Sequence, residues 1–276
     1  MSDARTYKNT QSLEKGIRLL IELNEVGRAK PAELAKKTGI DRTTTYRLLA
    51  TLSGLGLVAQ SPSDSSFILR SNVRRLSDGF NEFDRTSRIA TKAMSELLHV
   101  VKWPSDYATF DQGWMVIQET THRYSYYSVH RAMVGKRWKM LSSSVGRAFL
   151  AGAGDEQRFS VIEQAVQSGA MEGSVAGIRK EVRHLLEDYD ERGYAWSVGG
   201  SDKRISAIAL PIKLHDYSVG AVNVLFFRSS MSVVEAAERF LEPLRQTVDL
   251  IATKMLVSEV ELTSDLAPED PALQIF

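Results

Sequence analysis

Two short helical patterns separated by a single glycine lie near the start of the chain, and they constrain the fold of this region most strongly. The first runs from about Pro31 to Thr38, and proline suits a first turn because its missing N–H would have no intrahelical partner there. Gly39 supplies the turn, and Asp41 is the predicted N-cap of the next helix. The buried face of that second helix is expected to consist of leucines, namely Leu48, Leu49, Leu52 and Leu55. This arrangement predicts a helix-turn-helix.

The second of these helices begins with a dense group of hydrogen-bonding side chains, since residues 41–47 read DRTTTYR. A recognition helix lays its first turns in the major groove, where Arg binds guanine bidentately and hydroxyl groups contact bases or phosphates. An ordinary amphipathic surface helix is the alternative, because hydroxyl and Arg side chains are common there. The candidate DNA-binding residues are Arg42, Thr43, Thr44, Thr45, Tyr46 and Arg47.

The segments on either side favour the DNA-binding interpretation. Residues 12–26 form a helical pattern that is expected to bury one apolar stripe. Two strand-like runs, Leu57–Gln60 and Phe67–Arg70, flank the turn-rich SPSDSS and predict a β-hairpin. The expected stripe of the first helix consists of Leu13, Ile17, Leu20 and Ile21. Three helices followed by a hairpin describe a winged helix-turn-helix domain, which we assign to residues 1–70.

The distribution of charge agrees with an anionic partner for this domain. The net charge of the chain is only +1, but residues 1–75 hold 13 Lys and Arg against 7 Asp and Glu. The remainder holds 22 against 27, so a basic front part is joined to an acidic remainder. Nucleic acid is the first candidate for such a basic region, and chance clustering on solvated faces is the alternative.

The rest of the 276 residues is long enough for a second domain. Residues 71–102 resemble a linker helix broken near Asp78-Gly79, which either pairs with its twin in a dimer or simply bridges the domains. Residues 103–258 alternate strand-like pairs with amphipathic helices, which predicts an α+β domain with an antiparallel sheet flanked by helices. An acidic tail with two prolines, residues 259–276, is expected to be poorly ordered.

Several classes of protein are disfavoured by what the sequence lacks. There is no cysteine, which excludes disulfides, thiolate nucleophiles and cysteine-based zinc sites. The five histidines have no metal-ligand spacing, the serines have no nucleophile-elbow glycines, and no cofactor-binding motif is present. The first residues are polar, and no apolar run approaches a membrane span. We therefore expect a cytoplasmic, non-enzymatic chain with no catalytic residues, metal, cofactor or membrane partner.

Residues from about 11 to 258 resemble the IclR family of bacterial transcriptional regulators. The matching segments are SLEKGIRLLIEL, ELAKKTGIDRTTTYRLLATLSGLGLV, SPSDSSFILR, SVGRAFLA and RISAIALPI. Within the family, WPSDYATFD, ETTHRYSYYSVHRAMVGKR and SPSDSSF are most similar to activators of 3-hydroxyphenylpropionate (phenylpropanoid) catabolism. The resemblance implies a homodimer or tetramer on double-stranded operator DNA. It also implies a GAF-like C-terminal domain that binds a small aromatic acid effector.

Such a domain needs an anion clamp beside an aromatic slot, because ligand pockets are mostly apolar with few polar groups. Residues 142–144 are serines that open a predicted helix, where free amides and a hydroxyl can receive a carboxylate. A plain N-cap is the alternative role. The resemblance selects Ser143, since the family places a small hydroxyl residue there.

The remaining effector candidates follow from side-chain chemistry. Arg131 can pair bidentately with a carboxylate, although a surface ion pair is the commoner role. Asn223 lies in the apolar run GAVNVLFF and needs a partner if it is buried, which a ligand could supply. Ala207 stands where many relatives carry cysteine. The full candidate set is His130, Arg131, Met133, Trp138, Met140, Ser143, Ala207 and Asn223, with structural or core roles as the alternatives for the histidine, the methionines and the tryptophan.

Two other functions remain open from the sequence. The C-terminal domain could mediate assembly alone, but small or polar residues at 143, 207 and 223 favour a ligand over a filled core. An enzyme fused to a DNA-targeting domain is the other alternative, and no catalytic motif supports it.

Overall fold

The computed structural model of the protein describes residues 9–76, 85–128, 130, 132–200 and 202–265. The chain divides into two compact units at the boundary between residues 84 and 85. Within the expected linker, Ser71–Leu76 is a 3-10 helix of the first unit, and α4 (Arg85–Val101) belongs to the second. The expected break near residue 78 lies outside the described residues, and the domain limits at residues 70, 102 and 258 stay predictions.

The first unit contains three helices and a two-stranded antiparallel hairpin, as a winged helix-turn-helix requires. Its elements are α1 (Gln11–Val26), α2 (Pro31–Thr38), α3 (Arg42–Gly54), β1 (Val58–Gln60) and β2 (Phe67–Leu69). Gly39 adopts a left-handed φ of 70° between α2 and α3. The Asp41 carboxylate accepts the Thr44 amide N–H at 2.8 Å, which caps α3 as predicted. Local residues therefore determine where the recognition helix begins.

The predicted buried stripe of α1 is wrong for three of its four residues, since only Leu20 packs against the core. Leu13, Ile17 and Ile21 are exposed, whereas Leu19 and Leu23 are fully buried in the core of the unit. Both stripes are apolar and helical in period, so only packing against α2 and α3 decides which one faces inward.

The predicted buried face of α3 is correct only in part. Leu49 and Leu52 are buried and Leu48 is half-buried, but Leu55 is 61% exposed. Leu55 lies past the last turn of α3, where it no longer follows the helical face that packs on α1 and α2.

The second unit is built on a six-stranded antiparallel sheet in the order β5-β4-β3-β8-β7-β6. A tight turn after Asp111 joins β3 to β4 and a hairpin after Leu214 joins β7 to β8, whereas β6 was not predicted from the sequence. The strands are β3 (Ser105–Asp111), β4 (Trp114–Thr120), β5 (Arg137–Trp138), β6 (Ala195–Val198), β7 (Ile205–Leu214) and β8 (Tyr217–Phe227).

Helices cover both faces of this sheet, which gives the predicted α+β architecture. One face packs on α4 and α8 (Val233–Asp265). The other packs on α5 (Ser144–Gly152), α6 (Asp155–Gln167) and α7 (Val175–Arg192). Because α8 continues to Asp265, the first part of the predicted disordered tail is helical, and residues 266–276 lie outside the described residues.

Side-chain size on the two faces of β7 positions α5. Ile208, Leu210 and Ile212 point to the core shared with α4 and α8. The alternate positions towards α5 carry Ala207, Ala209 and Pro211, and an added Cβ on Gly152 of α5 would collide with the Pro211 ring. Gly146 of α5 lies so close to the Met140 backbone that an added Cβ would collide with it as well. Small residues therefore let α5 approach both the sheet and the Met140 backbone closely.

Candidate functional site

The exposed face of α3 carries most of the predicted DNA-binding residues. Arg42, Thr43 and Arg47 are exposed, and Tyr46 is 55% exposed beside them. Thr44 is half-buried, and its amide is bonded to the Asp41 cap. Two guanidinium groups, a phenol and a hydroxyl thus share one solvent-facing surface, which is suited to base edges and phosphates.

Thr45 does not belong to this surface, contrary to the prediction. It is fully buried, and its hydroxyl donates to the Asp41 carbonyl oxygen at 3.0 Å. Its position four residues before Leu49 and seven before Leu52 places it on the inward face with them, so it supports the start of α3 and has no access to DNA.

The hairpin of β1 and β2, which is the wing of this unit, contacts the rest of the unit both at the start of β2 and at its tip. Phe67 and Ala29 exchange backbone hydrogen bonds, which join β2 to the connection between α1 and α2. At the tip, Asp64 accepts the hydroxyl of Ser66 at 2.7 Å and its amide at 3.1 Å. These bonds, with Arg28 at 3.6 Å, lower the pKa of Asp64 to about 2.

A cavity of about 140 Å³ lies within the second unit, between the sheet, the N-terminal end of α5 and the segment from residue 122 to 136. Aromatic rings form much of its wall. Trp103 stacks on Tyr127 with centroids 4.7 Å apart and meets Phe227 edge-on at 5.6 Å. Trp138 closes another part of the wall.

The structure brings six of the eight predicted effector residues to this cavity. The six are His130, Met133, Trp138, Ser143, Ala207 and Asn223. Met140 is fully buried in the core beneath α5 and does not line the cavity. The backbone of Met140 packs against Gly146 of α5. Arg131 lies outside the described residues.

Ser143 caps α5, and this local role engages its side chain fully. Its oxygen accepts the Gly146 amide at 3.1 Å, and its hydroxyl donates to the Lys139 carbonyl oxygen at 2.8 Å. The next residue, Ser144, is buried in the cavity wall at the first position of the helix. Amides in the first turn of a helix have no intrahelical acceptor, so this end of the cavity attracts anions through backbone groups.

Asn223 has a protein partner for its side-chain carbonyl oxygen. Its Oδ1 accepts the backbone amide of Asp106 at 2.8 Å, across the pairing of β8 with β3. The side chain is buried, and this bond satisfies a backbone donor that the ladder leaves free at that point. Asn223 therefore joins two strands at the cavity wall.

Asp106, His122 and Ser128 form a polar group in the cavity wall that was not predicted from the sequence. Asp106 is 1% exposed and accepts the Thr120 hydroxyl at 2.7 Å. His122 is 4% exposed, and its Nδ1 is bonded to the Ser128 hydroxyl oxygen. The available signal at Asp106 was an acidic side chain at the second position of a strand-like run.

A second polar group lies on the more open side of the cavity. His130 Nε2 is 3.7 Å from Asp202, which is itself paired with Arg204 at 2.7 Å. Burial lowers the pKa of His130, and nearby His122 and Lys136 lower it further. The hydrogen bonds from Arg204 hold the pKa of Asp202 well below its ordinary value.

Two kinds of feature are absent from the described part of the chain. It contains no helix long and apolar enough to cross a membrane. It also contains no group of three or more histidine, aspartate or glutamate side chains arranged to hold a metal ion.

Comparison with known proteins identifies relatives of both units. The family model of the IclR helix-turn-helix domain matches residues 12–62, and the model of the bacterial transcriptional regulator IclR C-terminal domain matches residues 87–253. The chain is similar to the HTH-type transcriptional regulator KdgR of Escherichia coli (strain K12), with 21% identity over 216 residues, covering 77% of this chain and 81% of KdgR.

Solved structures share the fold at low identity. IclR from Thermotoga maritima superposes with a TM-score of 0.63 at 16% identity, covering 89% of this chain and 99% of that one. An IclR homologue from Microbacterium hydrocarbonoxydans, complexed with 4-hydroxybenzoate, gives a TM-score of 0.58 at 18% identity, with the same coverage of 89% and 99%.

Proposed function

This chain belongs to the IclR family of bacterial transcriptional regulators, and on that premise we propose that it controls a catabolic operon in response to a small aromatic carboxylic acid. It is a DNA-binding transcriptional regulator with a C-terminal effector domain, in a family of regulators and not of enzymes. The acid and the operon are the proposed parts.

The exposed face of α3 binds the operator in this proposal. Arg42 and Arg47 are its two cationic side chains, and losing a base-reading Arg costs about 1–3 kcal/mol and relaxes sequence preference. Losing a phosphate contact weakens binding to all sequences alike and lowers the salt dependence. A homodimer or tetramer reads half-sites spaced by about one helical turn or a multiple of it.

The aromatic cavity of about 140 Å³ is the observation that carries the effector assignment. Cavities of about 150 Å³ in protein cores accept one benzene ring. At its α5 end the cavity offers first-turn amides and the buried Ser144, and Lys136 lines the wall as well. An aromatic ring with one carboxylate matches these two features, because the ring fills the slot and the anion meets the helix N-terminus.

Two likenesses support the aromatic class. The homologue complexed with 4-hydroxybenzoate shares the fold, and we extend its ligand class to this chain. The segment ETTHRYSYYSVHRAMVGKR, which resembles activators of 3-hydroxyphenylpropionate catabolism, supplies His122, Ser128, His130 and Met133 of the cavity wall. We therefore propose hydroxyphenylpropionates and hydroxybenzoates as the first effectors to test.

The test is binding to the DNA upstream of the protein's own gene cluster, followed by fluorescence anisotropy at two salt concentrations. Each titration is repeated with benzoate, 4-hydroxybenzoate, 3-phenylpropionate and 3-hydroxyphenylpropionate. We expect tight, salt-sensitive and sequence-preferring binding that one of these acids changes, since a ligand shifts the equilibrium by its differential affinity for the two states.

Single arginine variants distinguish the effect of the exposed face of α3 on DNA binding from the effect of positive charge elsewhere in the chain. Arg42→Ala and Arg47→Ala should weaken operator binding, whereas Arg183→Ala, an exposed arginine on α7 of the second unit, should not. Unchanged affinity in both α3 variants would refute the recognition-helix assignment. Operator binding that no acid alters would favour the alternative in which the second unit only mediates assembly.

A further inference from the structure

We propose that Asp106 and His122 form a subsite that binds a hydroxyl group of the effector, so that the protein distinguishes a hydroxylated acid from its unsubstituted parent. This proposal rests on the proposed function, because it assigns a ligand group to one wall of the same cavity. The two side chains come from β3 and from the segment after β4, and both line the cavity.

The first argument is an unpartnered buried nitrogen. His122 is only 4% exposed, and among the described residues its Nε2 is the one buried side-chain polar atom without a hydrogen-bond partner. Asp106 Oδ1 lies 3.6 Å from this nitrogen, which is beyond hydrogen-bond distance. A buried polar atom without a partner is costly, so its place in a cavity wall indicates that a ligand group completes it.

The hydrogen-bond network determines what this nitrogen can do. The Ser128 hydroxyl donates its only proton to the His130 carbonyl oxygen at 2.7 Å and accepts the His130 amide at 3.1 Å. His122 Nδ1 must therefore carry the proton in its bond to Ser128. In the neutral ring, Nε2 is then an acceptor beside the Asp106 carboxylate.

A hydroxyl group fits this pair in either charge state of the ring. With a neutral ring it donates its proton to Nε2 or to the carboxylate. With a protonated ring it accepts the Nε2 proton and donates its own to Asp106. Asp106 is already oriented for this, because the Thr120 hydroxyl holds its Oδ1 and Asn223 holds its backbone amide.

Other ligand groups fit less well. A carboxylate beside Asp106 would place two negative charges in a buried site, which is unfavourable, so the acid group belongs at the α5 end. The unsubstituted edge of an aromatic ring would cover His122 Nε2 but form no hydrogen bond, so the nitrogen would stay without a partner. The cavity therefore selects a molecule with a carboxylate for the α5 end and a hydroxyl for the pair of Asp106 and His122.

The test is isothermal titration calorimetry on the full chain with pairs of acids that differ by one hydroxyl. The aromatic pairs are benzoate with 2-, 3- and 4-hydroxybenzoate, and 3-phenylpropionate with its 2-, 3- and 4-hydroxyphenyl analogues. Propionate with lactate is the aliphatic pair. We expect one hydroxylated acid to bind about 10- to 100-fold more tightly than its parent, as one hydrogen bond involving a charged group provides.

Two variants assign that preference to the subsite. His122→Phe keeps a ring without nitrogen, and Asp106→Asn keeps an oxygen for the Thr120 hydroxyl. In both we expect the ratio of the two affinities to fall towards one. His184→Phe, at an exposed position on α7, should keep the full ratio.

The outcomes separate this proposal from the function on which it rests. Equal binding of parent and hydroxylated acids by the unaltered protein would overturn the hydroxyl subsite and leave an aromatic acid sensor standing, and no variant needs to fold for this result. An unchanged ratio in both folded variants would also overturn it. A preference for lactate over propionate that both variants abolish, with no aromatic acid bound, would support the subsite and overturn the aromatic class. No binding of any acid would overturn both proposals.

Discussion

Replacing Asn223 by leucine tests whether the side chain of this residue stabilises the pairing of two strands or binds a ligand. The bond from the Asp106 amide to Asn223 Oδ1 is 2.8 Å long, and both residues are at least 95% buried. Leucine has a similar size but no acceptor, so the amide of Asp106 would be left buried and unpaired. Such a loss costs about 1–3 kcal/mol.

The assay is differential scanning calorimetry of the full chain without any acid. For a unit of this size, each kcal/mol lowers the Tm by about 2–4 °C, so we expect the transition of the second unit to fall by about 2–12 °C. Asn24→Leu, an exposed position on α1, is the matched control and should change stability by no more than about 0.5 kcal/mol. An unchanged Tm in Asn223→Leu, with a reduced response to an effector, would refute the structural role and restore the predicted ligand contact.

Three further predictions concern packing and charge. Gly146→Ala should destabilise the second unit by about 1–3 kcal/mol in urea unfolding, because the new Cβ would lie 2.6 Å from the Met140 Cα; an unchanged midpoint would contradict the close approach of α5. Leu23→Ala should cost the first unit about 2–5 kcal/mol, and Ile17→Ala about 0.5 kcal/mol or less, measured in the same way, whereas the reverse order would restore the predicted stripe of α1. The bonds from Ser66 hold the pKa of Asp64 at about 2, below its ordinary 3.8. The stabilisation that these bonds give the wing is therefore complete above pH 3.8 and is lost as the pH falls towards 2. An NMR titration of the Ser66 amide should show its midpoint near pH 2, and a midpoint near 3.8 would contradict these bonds.

Most of the secondary structure of the first unit could be predicted from the sequence, because short-range interactions determine it. Pro31 opens α2, Gly39 adopts the left-handed turn, and Asp41 caps α3, each for a reason contained within a few residues. The strands of the hairpin follow the same logic around the turn at residues 61–66. Which face of each helix is buried was predicted less well, since Thr45 is buried and not exposed, and α1 buries Leu19 and Leu23 instead of most of the predicted stripe.

The cavity was predicted in outline because its signals are also local. Serines 142–144 open a helix, Asn223 interrupts an apolar strand, and aromatic residues gather around residues 103–138. What these side chains do depends on their neighbours. Asn223 is bonded to a backbone amide, and Ser143 caps its own helix.

The pair of Asp106 and His122 shows most clearly what the sequence by itself left open. Sixteen residues separate them, a spacing with no meaning in a helix or a strand, and the histidine looked like one of five scattered ones. The antiparallel pairing of Asp106 with Thr120 places the end of β4, and the turn that carries His122, beside the start of β3. By itself the sequence determined the helices and hairpin of the first unit, the cap of α3 and most of the side chains exposed on it, because those depend on short-range bonds. The tertiary structure alone decided which helix faces are buried and which distant polar groups meet in one cavity, because both follow from strand register and packing.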